Sequence, residues 1–75
     1  MYHTIAFAVD FIANLEVSRK QPLERVRLRK GDRLRAQVKP YVAETAEGPV
    51  EVADLFFEDG TATRAVPFAC FAFVN

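Results

Sequence analysis

The chain has 75 residues, of which 51% are apolar and 27% charged, and ten basic side chains balance ten acidic ones. This length predicts one domain over residues 1–75 and excludes a doubly wound nucleotide-binding fold or a second lobe. No apolar run reaches the roughly 18 residues of a membrane span, and no basic region precedes the first apolar stretch, as it would in a secretory signal. The single cysteine, Cys70, allows no internal disulfide or zinc cluster. A reduced, cytoplasmic location without membrane contact is therefore expected.

The N-terminal stretch over residues 2–11 alternates large and small side chains, which is the period of a β-strand. A helix is the rival interpretation, because Ile5, Val9 and Ile12 also follow helical spacing. Residues 4–15 therefore admit either a strand or a helix.

Two segments in the middle of the chain, 25–29 and 33–39, alternate aliphatic and basic side chains. This pattern predicts two neighbouring strands, each with one buried and one exposed face. Lys30-Gly31-Asp32 predicts the turn between them, because glycine adopts positive φ without strain. Pro40 is expected to end the second strand or to place it at a sheet edge.

The second half of the chain is rich in turn signals and β-branched or aromatic residues. The predicted elements are a loop over 43–49, a strand over 50–58 with a bulge near Ala53-Asp54, a hairpin turn at Asp59-Gly60, a return strand over 61–66, a short helical turn near 67–70 and a strand over 71–74. The five segments assigned to strands after the N-terminal stretch (25–29, 33–39, 50–58, 61–66 and 71–74) predict an all-β fold of short strands. We expect them to close into a small barrel, because closure removes exposed sheet edges.

Three stretches, distributed over most of the length of the chain, resemble the Src-homology-3 family. Phe7-Ala8-Val9-Asp10-Phe11 is similar to the opening "ALYDY" strand of that family. Residues 26–34 resemble its "LSFxxGDxL" diverging turn, and residues 65–71 look like its "xIPSNYV" segment, in which a proline opens a single helical turn. The resemblance implies a five-stranded, Src-homology-3-like small β-barrel.

The same resemblance argues against the usual ligand of the family, which is a proline-rich helix bound in an aromatic groove. It would place that groove at Val9, Phe11, Ala53, Pro67 and Cys70. Only Phe11 and Pro67 keep suitable chemistry, and the chain has no tryptophan. The loop after the first strand is also basic, where that of the family is normally acidic.

Charge is segregated along the chain. Nine of the ten basic residues lie between Arg19 and Lys39, opposed by two acids, so this stretch carries 9 − 2 = +7. Six acids and no base lie between Glu44 and Asp59. Either the basic and acidic strands pair with each other, or a basic face binds a polyanion or an acidic partner. The residues assigned to that basic face are Arg25, Arg27, Arg29, Arg33, Arg35, Lys39 and Tyr41.

The aromatic residues suggest a second surface. Phe56 and Phe57 are consecutive, so a strand points them to opposite faces and one is expected outside. Phe73 lies in a last strand whose two faces are both apolar. Because exposed aromatic patches on small proteins mark partner surfaces, Phe56, Phe57 and Phe73 are the candidates for an oligomer or partner surface.

The sequence contains no recognisable catalytic constellation. His3 is the only histidine and the only possible base for Cys70, and phosphate loops, dinucleotide fingerprints and metal-ligand spacings are missing. We therefore expect no enzyme, catalytic residue, cofactor or metal.

The expected function is a non-catalytic module that binds an acidic protein partner through the basic face and exposed aromatics. The module is also expected to form homo-oligomers. A small barrel that binds nucleic acid through the basic hairpin 25–39 is the alternative. A self-assembling subunit, in which the basic face of one copy meets the acidic face of the next, is the third hypothesis.

Overall fold

The computed structural model describes residues 1–16 and 24–74. Its strands are β1 (His3–Phe7), β2 (Phe11–Leu15), β3 (Glu24–Leu28), β4 (Arg33–Thr45), β5 (Gly48–Phe57), β6 (Ala62–Pro67) and β7 (Phe71–Val74), with a 3-10 turn at Phe68–Cys70. The predictions of an all-β fold and of a helical turn near residues 67–70 are confirmed. The helical alternative for residues 4–15 is wrong, since β1 and β2 occupy that stretch.

The strands form two antiparallel sheets. Five strands pair in the order β6-β5-β4-β1-β7, and β2 pairs with β3 in a second sheet. One bridge links the sheets: the Glu16 N–H donates to the Ala62 carbonyl at 2.7 Å, and the Ala62 N–H donates to the Glu16 carbonyl at 3.2 Å. The end of β2 therefore lies against the edge strand β6.

The turn at residues 29–32 carries the chain from one sheet to the other. Gly31 has a φ of +92° and donates its N–H to the Phe7 carbonyl at 2.8 Å, while the Phe7 N–H donates to the Asp32 carbonyl at 3.0 Å. The end of β1 thus occupies the position beside the turn that β3 would take in a hairpin. The prediction that segments 25–29 and 33–39 are neighbouring strands is wrong for this reason.

Two carboxylates hold this turn in place. The Arg29 N–H donates to Asp32 Oδ2 at 2.8 Å, and the Lys30 N–H donates to Asp10 Oδ1 at 2.9 Å. Both acids satisfy backbone donors that strand pairing leaves free. Asp10 and Asp32 are thus engaged by the backbone of the turn.

The β4–β5 hairpin is longer than its proline suggests. Pro40 lies opposite Ala53 within the ladder, and pairing continues to Thr45 and Gly48. Pro40 does not end its strand, and the prediction of a loop over 43–49 is wrong. Among the described residues, the pairing of β4 with β1 covers only residues 33–36, so Pro40 pairs on one side only, in agreement with the alternative that it lies at a sheet edge. Gly48, with a φ of +110°, closes a short turn in which the Thr45 hydroxyl donates to its carbonyl at 2.7 Å.

The core lies between the two sheets. Ile5, Phe7, Leu55 and Val66 are the largest fully buried side chains, and the β2–β3 sheet adds Ala13 and Leu28 to the same cluster. Along β1, β2 and β3, more buried residues alternate with more exposed ones, so burial of one face leaves the other to solvent.

The predicted bulge in β5 is confirmed by a register shift between Ala53 and Leu55 against β6. On the facing strand, Ala65 has a φ of +54°, which costs an alanine about 1 kcal/mol or more. Val66 lies inward next to it and is fully buried. The strained residue thus permits Thr63 and Val66, both buried, to reach the core from one strand.

Candidate binding surface

The outward side of the β2–β3 sheet carries an isolated pair of arginines beside an aliphatic residue. Ile12 lies opposite Arg27, and Asn14 lies opposite Arg25. Because side chains alternate across a strand, these four residues point away from the buried Ala13. All four are exposed, and Ile12 leaves 51% of its surface to solvent. We call Ile12, Asn14, Arg25 and Arg27 the hairpin face.

The arginines of the hairpin face form no ion pair within residues 1–16 and 24–74. The ion pairs in that part of the chain are Arg35–Glu58 at 3.4 Å, Arg64–Glu16 at 3.2 Å and Arg64–Asp54 at 3.1 Å. Residues 17–23 contain no acidic side chain. Among the described residues, the guanidinium groups of Arg25 and Arg27 therefore have donors left for water or for a partner.

The remaining residues of the predicted basic face lie elsewhere. Arg33 and Arg35 are on β4, opposite Ala6 and Thr4 of β1. Arg35 is paired with Glu58, as expected if basic and acidic strands meet. The basic stretch of the sequence is therefore divided between two sheets, and its exposed face is not continuous.

Lys39 and Tyr41, also assigned to the basic face, belong to a cluster around β5. The ring of Phe56 lies between Lys39 Nζ, 5.1 Å from its centroid, and Arg64 Cζ, at 5.0 Å. Such cation–π contacts contribute roughly 0.5–1 kcal/mol at exposed sites. The Tyr41 hydroxyl donates to Asp54 Oδ1 at 3.0 Å. Lys39 and Tyr41 therefore each contact another side chain of this cluster.

Asp54 is the centre of this cluster. Its Oδ1 also accepts the Ala65 N–H at 2.9 Å, and its Oδ2 accepts Arg64 Nη1 at 3.1 Å. Partial burial by itself raises the pKa of Asp54, but the hydrogen bonds from Ala65, Tyr41 and Arg64 together outweigh it, so the pKa lies below its usual value. The hydrogen bond to Asp54 in turn raises the pKa of the Tyr41 phenol. The carboxylate stays ionised and stabilises the bulge.

The three candidate aromatic residues have different environments. Phe57 faces inward opposite Ala36 and is 9% exposed, so it is the buried member of the Phe56–Phe57 pair, of which one was expected outside. Phe56 is the outward member of the pair, half-buried between its two cations. Phe73 is 55% exposed and makes an edge contact with His3 at 5.5 Å between ring centroids.

The groove positions implied by the family resemblance do not form one exposed surface. Ala53 is fully buried in the core, whereas Val9 is 45% exposed. Pro67 and Cys70 are half-buried. No groove of the proline-binding kind is therefore assigned to these residues.

A cavity of about 330 Å³ opens between the two sheets. Most of its lining is aliphatic or aromatic, including Leu15, Val26 and Phe57, and the Arg35–Glu58 ion pair lies at its rim. A ligand site of the usual kind adds several convergent polar groups to an apolar pocket. Here the polar groups at the rim are already paired with each other.

No helix within residues 1–16 and 24–74 is both long and apolar enough to cross a membrane. No three side chains of the His, Cys, Asp or Glu type come together there in a way that would hold a metal ion.

No family model matches the chain, and neither a curated protein nor a solved structure matches it. The candidate surface thus depends on its own geometry. Sequence reasoning missed Ile12 and Asn14, which alternate along β2 with the inward-facing Phe11, Ala13 and Leu15. Choosing the strand over the helix for this segment would have identified both.

Proposed function

We propose that this protein is a non-catalytic interaction module that binds an acidic protein partner through the hairpin face. One observation carries the proposal: Arg25 and Arg27 project to solvent from neighbouring positions of β3, without an acidic partner among the described residues, beside the exposed Ile12.

The chemistry of the hairpin face favours a protein over a nucleic acid. Guanidinium groups bind carboxylates through two parallel hydrogen bonds, and the exposed Ile12 opposite Arg27 adds an apolar contact typical of protein interfaces. Proteins that bind single-stranded nucleic acid add aromatic side chains on which bases stack. The hairpin face holds Ile12 and Asn14 in the positions where such rings would lie.

Nucleic-acid binding through the basic stretch 25–39 is the second candidate. It is favoured by the number of cations in that stretch, and by Lys39 lying over the ring of Phe56 on the other sheet. The division of these cations between two sheets and the contacts of Tyr41 with Asp54 weigh against it. We therefore rank it second.

We also propose that the two sheets close into one Src-homology-3-like barrel. The Glu16–Ala62 bridge, the turn around Gly31 and the 3-10 turn after Pro67 support this assignment. Amide hydrogen exchange tests it, because closure protects the N–H groups of Glu16 and Ala62. Exchange of both amides as fast as that of the exposed Glu47 would contradict closure.

Titration with poly-L-glutamate and with a single-stranded oligonucleotide of matched charge tests the proposed function. Replacing Arg25 and Arg27 by Gln is expected to weaken poly-L-glutamate binding by up to about tenfold, since each exposed ion pair contributes modestly. The matched control replaces Arg33 and Arg35 by Gln and removes the same charge from β4.

Three outcomes separate the alternatives. A clear loss in the hairpin variant with little change in the β4 control supports the hairpin face. An equal loss in both variants would mean that only net charge matters. Tighter binding of the oligonucleotide than of poly-L-glutamate, with a steep loss on adding salt, would replace the protein partner by nucleic acid.

A further inference from the structure

The β4–β5 hairpin extends past the core and exposes one side of its sheet. Ala53 is fully buried, but Pro40, its cross-strand partner, is exposed. Val42, two residues further along β4, is 58% exposed. The row of side chains that forms the core in the middle of the sheet therefore continues into solvent at its end.

This exposed row is acidic. Val42 lies opposite Glu51, and Glu44 lies opposite Pro49. Neither glutamate forms an ion pair among the described residues. We call Pro40, Val42, Glu44, Pro49 and Glu51 the tip face.

The tip face and the hairpin face have the same construction with opposite charge. Each is a ribbon of two antiparallel strands in which an exposed aliphatic residue lies opposite a charged one: Val42 opposite Glu51, and Ile12 opposite Arg27. Both aliphatic residues are more than half exposed, at 58% and 51%.

The charges within the two faces are also similarly spaced. Arg25 and Arg27 are two residues apart on one strand, which separates them by about 7 Å. Glu44 and Glu51 are diagonal neighbours across a strand pair, which separates them by about 7–8 Å. When Val42 packs against Ile12, both carboxylates therefore come within reach of both guanidinium groups.

We infer that the tip face of one copy binds the hairpin face of a second copy. This inference rests on the proposed function, because it names the acidic protein partner of the same arginines. The two faces differ, so each bound pair leaves one face of each kind open, and the contact generates a ring or an open chain. The contact is small and its charges are exposed, so it is weak and sensitive to salt.

Complementary charge-reversal variants test this inference. The hairpin variant carries Arg25→Glu and Arg27→Glu, and the tip variant carries Glu44→Lys and Glu51→Lys. In light scattering at high protein concentration, wild type is expected to exceed the mass of a dimer, while each variant alone stays monomeric. An equimolar mixture is expected to associate again, since the intact tip face of one variant meets the intact hairpin face of the other and the two reversed faces are complementary as well.

Two further chains sharpen the test. A chain carrying all four substitutions has its signs exchanged at both faces, and we expect it to associate again. Glu47→Lys, in the turn beyond the tip face, is the control for a single charge reversal and should weaken association less than Glu51→Lys. Circular dichroism checks that every variant retains its β-structure.

The outcomes distinguish this inference from the proposed function. Wild type that stays monomeric but binds poly-L-glutamate overturns only the inference. Wild type that neither associates nor binds poly-L-glutamate overturns both. A mixture that stays monomeric while wild type associates would show that copies meet through other surfaces. The tip variant retains an intact hairpin face and gains four units of positive charge, so it is expected to bind poly-L-glutamate at least as tightly as wild type does.

Discussion

Arg64 and Arg27 are both exposed arginines on short strands, yet their surroundings differ completely. Arg64 binds Glu16 and Asp54 and lies 5.0 Å from the centroid of the Phe56 ring. Arg27 lies opposite Ile12 and has no ion pair in the described part of the chain. Exposure and charge alone do not identify a binding residue. The neighbouring side chains decide whether an arginine stabilises its own fold or is open to a partner.

Phe71 and Phe73 repeat this contrast with apolar side chains. They share one face of β7, opposite Phe7 and Ile5 of β1. Phe71 is 6% exposed and Phe73 is 55% exposed. β7 extends past the edge of the core, so Phe71 lies in the core and Phe73, two residues further along, lies at the surface.

The largest expected effect is at these two phenylalanines. Phe71→Ala should lower the free energy of unfolding by about 3–5 kcal/mol, because it leaves a cavity in the core. Phe73→Ala should lower it by less than about 1 kcal/mol, as expected for a largely exposed residue. Urea denaturation followed by circular dichroism measures both. Equal losses would mean that Phe73 is as buried as Phe71.

An intermediate effect is expected at Asp54, and it depends on pH. Its pKa in the folded protein lies below the ordinary value of 3.8, so its carboxylate stabilises the fold above that value. This contribution is lost as the pH falls through the folded pKa. Asp54→Asn should lower the free energy of unfolding by about 1–2 kcal/mol at neutral pH.

Urea titrations at neutral and acidic pH check this prediction. The difference between wild type and Asp54→Asn should shrink toward zero once the carboxyl group of wild type is protonated. Glu51→Gln, an exposed carboxylate without an ion pair among the described residues, is the matched control. If the difference in free energy of unfolding between wild type and Asp54→Asn stays constant with pH, the charge of Asp54 contributes nothing to stability.

The smallest effect is expected at the two arginines themselves. Arg64→Gln should lower the urea midpoint slightly, since it removes contacts to Glu16, Asp54 and Phe56. Arg27→Gln should leave the midpoint unchanged, because it has no intramolecular charge partner to lose. Added salt should narrow the difference between the two variants. A larger drop in the urea midpoint for Arg27→Gln than for Arg64→Gln would contradict the view that Arg27 has no partner within the fold, on which the proposed binding surface depends.

Several features that the sequence predicts correctly depend on a few adjacent residues. The alternation over 25–29 marks a strand, Asp59-Gly60 marks a turn in which Thr61 binds Asp59 at 2.9 Å, and the slip in alternation near Ala53 marks the bulge. Each of these depends on local backbone preference and on a two-residue period, which can be read without knowing what packs against the segment.

What the sequence left open or predicted wrongly is which strands pair and which face of a strand is buried. The turn at Gly31 leads away from β3 because the end of β1 binds it. Pro40 lies within a ladder because β5 continues beside it, and Phe57 is buried because the ladder places it next to Ala36. In each case the deciding neighbour is distant in the chain.

Side-chain alternation and turn chemistry are local, so the sequence alone predicts strands that have one apolar and one polar side. Which strands meet, and thus which charges are paired, is fixed only when the chain folds. That choice divides the basic stretch between two sheets, binds Arg35 to Glu58, and leaves Arg25 and Arg27 facing solvent beside Ile12. Ion pairing depends on distances in space, and those arise when the core assembles.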